Sequence, residues 1–122
     1  MKALVVDDSR AIRTILSRTL EDLGFEVGQA CDGVQAAGYL DRQRESTDLI
    51  LVDWNMPEMN GLEFVRHLRR DGRFAATKVM MVTTETQAEE MAAALEAGAN
   101  EYVMKPFTQE VIVDKLRILG LV

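Results

Sequence analysis

Asp7, Asp8 and Asp53 stand just past two short apolar runs, Lys2 to Val6 and Asp48 to Val52, and Lys105-Pro106 follows another run near the C-terminus. Carboxylates stay out of apolar segments because burying charge is costly, so three of them at strand-like ends imply a site that needs negative charge. Such oxygen donors suit a hard divalent cation.

The elements that must position them follow from periodicity. Lys2 to Val6, Glu26 to Ala30, Asp48 to Val52, Lys78 to Thr83 and Glu101 to Met104 read as strands. The first, third and fourth are nearly continuous in Val, Leu, Ile and Met, the pattern of strands buried on both faces of a parallel sheet. Between them Ile12, Ile15, Leu16, Leu20 and Leu23 recur at helical spacing, with Gly24 as a stop. Val34 to Gln43, Leu62 to Arg70, Ala88 to Ala97 and Gln109 to Leu119 behave similarly.

Strands alternating with helices predict an α/β fold, a flavodoxin-like (βα)5 doubly wound parallel sheet. Right-handed crossovers make 2-1-3-4-5 the compact strand order, and its ligand crevice opens where strands 1 and 3 lie side by side. Asp7, Asp8 and Asp53 would converge there. Thr83, closing strand 4, and Lys105, after strand 5, would line the same edge.

At 122 residues the chain fits one domain, and residues 1–122 read as one module. Twenty acidic against fourteen basic residues leave a net charge of −6, and no basic stripe is expected along any helix, which argues against direct nucleic-acid or phospholipid contact. The single cysteine, Cys31, rules out an internal disulfide and fits a reducing compartment. Ala3 to Val6 is too short for a signal peptide core or a membrane span, so a soluble cytoplasmic protein is expected. His67 is the only histidine, too few for a metal cage.

Val5-Val6-Asp7-Asp8, Asp53-Trp54-Asn55-Met56-Pro57 with Asn60-Gly61-Leu62-Glu63, Met81-Val82-Thr83, and Tyr102-Val103-Met104-Lys105-Pro106-Phe107 follow one another in order at the predicted strand ends. In this the chain resembles, over essentially its whole length, the receiver domain of bacterial two-component response regulators, most closely the single-domain chemotaxis regulators. Alone, each motif has an ordinary reading: a solvated turn with a helix N-cap, a loop start, a surface lysine, a strand end. Their joint placement overturns those readings.

The resemblance implies that Asp53 is the phosphoacceptor, taking the phosphoryl group of a phosphohistidine on a sensor histidine kinase. It implies Mg²⁺, with Mn²⁺ as a substitute, held by Asp8, Asp53 and the backbone carbonyl of Asn55, with Asp7 acting through water. Lys105 would supply a cation to the phosphoryl oxygens, and Thr83 a hydroxyl after transfer. Tyr102 would then swing inward and alter a protein-binding face formed by helix 4, strand 5 and helix 5, to which Met91, Leu95 and Met104 are also assigned. Asn55 and Glu85 would tune dephosphorylation, and the peptide before Pro106 is expected to be cis. The protein would be a signalling phosphoacceptor rather than an enzyme acting on others.

Two other classes fit less well. A haloacid-dehalogenase-type hydrolase needs a second Asp two residues after its nucleophile, where this chain has Asn55. A flavin carrier of the same topology needs a hydroxyl- or glycine-rich phosphate loop after strand 1, where two aspartates would repel the phosphate. Within the receiver reading, a domain cut from a larger regulator is the alternative to a stand-alone protein.

Overall fold

Five strands, β1 (Lys2–Val6), β2 (Glu26–Ala30), β3 (Leu49–Val52), β4 (Lys78–Thr83) and β5 (Glu101–Met104), alternate with helices α1 (Arg10–Asp22), α2 (Gly33–Arg42), α3 (Gly61–Arg70), α4 (Ala88–Ala97) and α5 (Gln109–Ile118). This computed structural model describes residues 1–43, 45–84 and 88–122. The strands form one parallel sheet in the order β2-β1-β3-β4-β5, as the alternation predicts.

Alternation along each strand divides the apolar residues into two cores. Leu4 and Val6 of β1, Ile50 and Val52 of β3, and Val79 and Met81 of β4 pack with Ala36, Leu40, Phe64, Val65, Leu68 and Ala94 under α2, α3 and α4. Ala3, Val5, Leu49, Leu51, Met80 and Val82 point the other way, onto Leu16 and Leu20 of α1 and Ile112 and Leu116 of α5. That two-sided burial is why β1, β3 and β4 read as continuous apolar runs.

Register sets the site. Val6 pairs with Ala30 on one side and Val52 on the other, so Asp7 and Asp53 leave the sheet beside each other. Their amides extend the ladder by one step: Asp7 N–H donates to Ala30 O at 3.1 Å, and Asp53 N–H donates to Val6 O at 3.0 Å. The following helices start at polar caps. Ser9 accepts from the Ile12 amide, and Asn60 forms a reciprocal capping box with Glu63.

Some expectations shift. β3 runs from Leu49 rather than Asp48, although backbone bonds continue one residue further back: Asp48 N–H donates to Lys2 O at 2.8 Å and Asp48 O accepts from the Lys78 amide at 3.0 Å, while the Asp48 carboxylate accepts from the Lys2 amide at 2.8 Å. A 3₁₀ turn at Gly72–Phe74, capped by Asp71, was not anticipated. The expectation of no basic stripe is also corrected: α3 exposes Arg66, His67 and Arg70. Arg69 turns inward, donating to the carbonyls of Gly98 (3.1 Å), Phe74 (2.7 Å) and Thr77 (2.8 Å) and to Asn100 Oδ1 (2.9 Å). Among the described residues no helix is long and apolar enough to cross a membrane.

Candidate functional site

At the C-terminal edge of the sheet, Asp7 is 1% exposed and Asp53 is 6% exposed, while Asp8 faces solvent. One carboxylate oxygen from each lies within 4.8 Å of the others. That spread is comparable to the separations of oxygens around Mg²⁺, about 3 Å for adjacent and 4 Å for opposite positions at its usual bond length. A hard divalent cation therefore fits the donor set.

Every polar atom of Asp7 has a partner. Besides its amide bond to Ala30, Oδ1 accepts from the Ser9 amide at 2.8 Å, Oδ2 accepts from Lys105 Nζ at 2.8 Å, and the carbonyl accepts from Arg13 Nη1 at 2.7 Å. Asp53 is held more loosely: Oδ1 accepts from the Asn55 amide at 3.3 Å and Oδ2 from Lys105 Nζ at 3.2 Å. Among the described residues no hydrogen bond restrains the Asp8 carboxylate.

Burial pushes the Asp7 carboxyl above its ordinary range, and the Lys105 and Ser9 bonds only partly pull it back. For Lys105 burial works against the ammonium, but the bond to Asp7 and the charges of Asp53 and Asp7 outweigh it and raise the pKa. Lys105 is thus held as a cation between two acids.

Lys105 reaches this position because β5 lies beside β4: its amide donates to Thr83 O at 2.8 Å, and the Lys105-Pro106 peptide is cis, as expected. Thr83 closes β4 fully buried, in register with Met104. Asn55 is exposed in the loop after Asp53, and Glu85 lies outside the described residues.

Tyr102 is 7% exposed and belongs to the core with Met81, Ala94 and Ala99. Of the four side chains assigned to one output face, Leu95 and Met104 are exposed, at 49% and 47%, Met91 is half-buried, and Tyr102 packs inward.

Two contributors escaped the sequence reading. Gly61 opens α3 against the backbone after β3: a Cβ there would collide with Asp53 O and lie 2.9 Å from Trp54 Cα, and the Gly61 amide donates to Trp54 O at 2.9 Å. The Asn60-Gly61 motif marks the position but not this reason for it. Arg13, on the first turn of α1, carried no signal separating it from a surface arginine.

A hollow of about 600 Å³ along α5, lined by Thr108, Gln109, Glu110, Val113, Asp114 and Arg117, includes none of these groups.

A doubly wound parallel sheet with three convergent aspartates and a lysine at its switch point is the arrangement of a receiver domain. Residues 3–117 match the response regulator receiver domain, and the chain belongs to that family. It is 47% identical over 120 residues to chemotaxis protein CheY1 of Helicobacter pylori, covering 98% of this chain and 96% of that one. It is 45% identical over 122 residues to the CheY homolog of Campylobacter jejuni, covering 98% and 93%. The structure of Vibrio cholerae chemotaxis protein CheY4 superposes with a TM-score of 0.88 at 39% identity, covering 96% of each chain.

Proposed function

We propose that Asp53 accepts a phosphoryl group from a phosphohistidine of a sensor histidine kinase in a Mg²⁺-dependent reaction, and that the modified protein changes its affinity for a protein target at the α4/β5/α5 face. The observation that carries this reading is Lys105 Nζ at 2.8 Å from Asp7 and 3.2 Å from Asp53, beside a cluster of three carboxylates.

Asp8, Asp53 and the carbonyl of Asn55 would hold the ion, while Asp7, already engaged by Ser9 and Lys105, would reach it through water. When bound, the ion supplies positive charge that offsets repulsion among the carboxylates and the incoming phosphoryl oxygens. A carboxylate oxygen of Asp53 attacks phosphorus, the phosphorus–nitrogen bond breaks, and the imidazole nitrogen keeps the electron pair, leaving an acyl phosphate on Asp53. Lys105 stabilises the phosphoryl oxygens by charge, and the Thr83 hydroxyl bonds one of them after transfer. Asn55 and Glu85 orient the water that later hydrolyses the acyl phosphate.

The likeness to chemotaxis regulators over nearly their whole length supports one receiver domain over residues 1–122 with a chemotaxis-type role, and a role of that kind belongs in the cytoplasm. The alternative is a receiver belonging to a larger transcriptional or enzymatic regulator.

Trp54 adjoins Asp53 and is the only tryptophan, so it reports on the reaction. Its fluorescence is expected to change with Mg²⁺ and again with acetyl phosphate, and Asp53→Asn should abolish the second change. A folded protein whose emission ignores both additions would overturn the assignment.

A further inference from the structure

Arg13 ties three elements together at the edge of the acidic cluster. From the first turn of α1 its Nη1 donates to the carbonyl of Asp7 at 2.7 Å, and its Nε donates to Gln29 Oε1 on β2 at 3.3 Å. The Asp7 carbonyl belongs to the peptide that carries the amide of Asp8. Fixing that oxygen fixes the plane from which Asp8 projects, and no side-chain bond among the described residues restrains the Asp8 carboxylate directly. Asp7 is held at its other polar atoms by Ala30, Ser9 and Lys105, so Arg13 supplies the remaining restraint.

We propose that Arg13 is a positioning residue for the divalent-cation site: its guanidinium, oriented by Gln29, locks the Asp7–Asp8 peptide so that the Asp8 carboxylate is presented to the ion. This rests on the proposal above that Asp8 ligates Mg²⁺. Arg13 does not touch the ion; it acts through the backbone, as outer-shell groups act through the ligands they orient. The planar fork matters because one head group must meet two acceptors from different elements, which an ammonium does less well.

The sign of the effect separates this role from simple electrostatics. A cation beside a cation site repels the incoming ion, so removing Arg13 should tighten Mg²⁺ binding if charge were its only influence. If Arg13 positions Asp8, the same substitution weakens binding.

The test is Mg²⁺ titration followed by Trp54 fluorescence, with unfolding measured alongside so that affinities are compared only between folded proteins. Arg13→Met is expected to weaken binding by about tenfold, the low end of what losing an outer-shell partner costs. Arg13→Lys should recover part of the loss, and Gln29→Ala, at an exposed position, should weaken binding in the same direction while leaving stability unchanged. Equal or tighter binding by Arg13→Met, with the wild type responding normally, overturns the inference and leaves the cation site standing. Should Arg13→Met not fold, unchanged affinity in both Arg13→Lys and Gln29→Ala overturns it instead. A wild type indifferent to Mg²⁺ refutes the cation site itself, and this inference with it.

Discussion

Lys105 donates to Asp7 at 2.8 Å across 98 positions of sequence, closer than its 3.2 Å approach to Asp53. The lysine is thus anchored by the more buried acid and shared with the one proposed to react. Asp53 keeps only the longer bonds, to the Asn55 amide at 3.3 Å and to Lys105 at 3.2 Å.

That anchoring gives stability a pH dependence. The folded pKa of Lys105 lies above the ordinary 10.5 despite burial, because the bond to Asp7 and the nearby acids favour the ammonium. The stabilisation is complete below 10.5 and is lost as pH rises through the folded value. Urea midpoints of the wild type should fall across that alkaline window more steeply than those of Lys105→Met, which lacks the group.

Asp7 behaves oppositely. Burial raises its pKa above 3.8, so ionising it destabilises the fold as pH rises from 3.8 through the folded value, and the full penalty stands at neutral pH. In EDTA, Asp7→Asn is expected to stabilise the protein by on the order of 1 kcal/mol, and Asp53→Asn to act in the same direction. The wild type should gain about 1.4 kcal/mol when free Mg²⁺ stands tenfold above its dissociation constant. Thermal unfolding with and without the ion measures both effects, and Asp7→Asn should lose much of the second.

Gly61→Ala should damage the site specifically. The new methyl would meet the backbone at Asp53 and Trp54, which cannot yield as a side-chain tip does, and a loss of about 1 to 3 kcal/mol is expected. At Gly72 nothing lies within 4 Å of an added Cβ, so Gly72→Ala should stay within about 0.5 kcal/mol of wild type. Paired denaturation curves, and Mg²⁺ affinity reduced in the first variant alone, check the contrast.

The output face should respond to Leu95→Asp and Met104→Asp, both exposed, with lower affinity for a target that prefers the phosphorylated form and with phosphorylation intact. Tyr102→Ala would be less clean, because truncating this buried aromatic is expected to cost about 3 kcal/mol. Binding isotherms against the phosphorylated protein, read beside unfolding midpoints, separate the two classes.

Asn55→Lys combined with Glu85→Leu should lengthen the life of the acyl phosphate, because a small amide and a carboxylate can orient water that bulkier or apolar groups displace. Following the decay of phosphorylated wild type and variant measures it, and equal lifetimes would remove these side chains from control of the signal.

Sequence alone determined the strand order, the two-sided burial of β1, β3 and β4, and the convergence of Asp7, Asp8, Asp53, Thr83 and Lys105 on one sheet edge. It could do so because hydrophobic periodicity is a local property, and the handedness of crossovers leaves few ways to assemble five parallel strands. Tertiary structure decided what depends on contacts between distant elements. That Lys105 sits nearer Asp7 than Asp53, that Gly61 must lack a side chain beneath Asp53, and that Tyr102 lies inward while Met104, two residues on along the same strand, stays exposed are all set by packing around each position. Arg13 and Arg69 show the limit most clearly. Both are arginines on amphipathic helices, yet one reaches back to the Asp7 carbonyl and the other turns inward onto three backbone carbonyls, and no local pattern marks either, because their acceptors are backbone atoms that only the fold brings within reach.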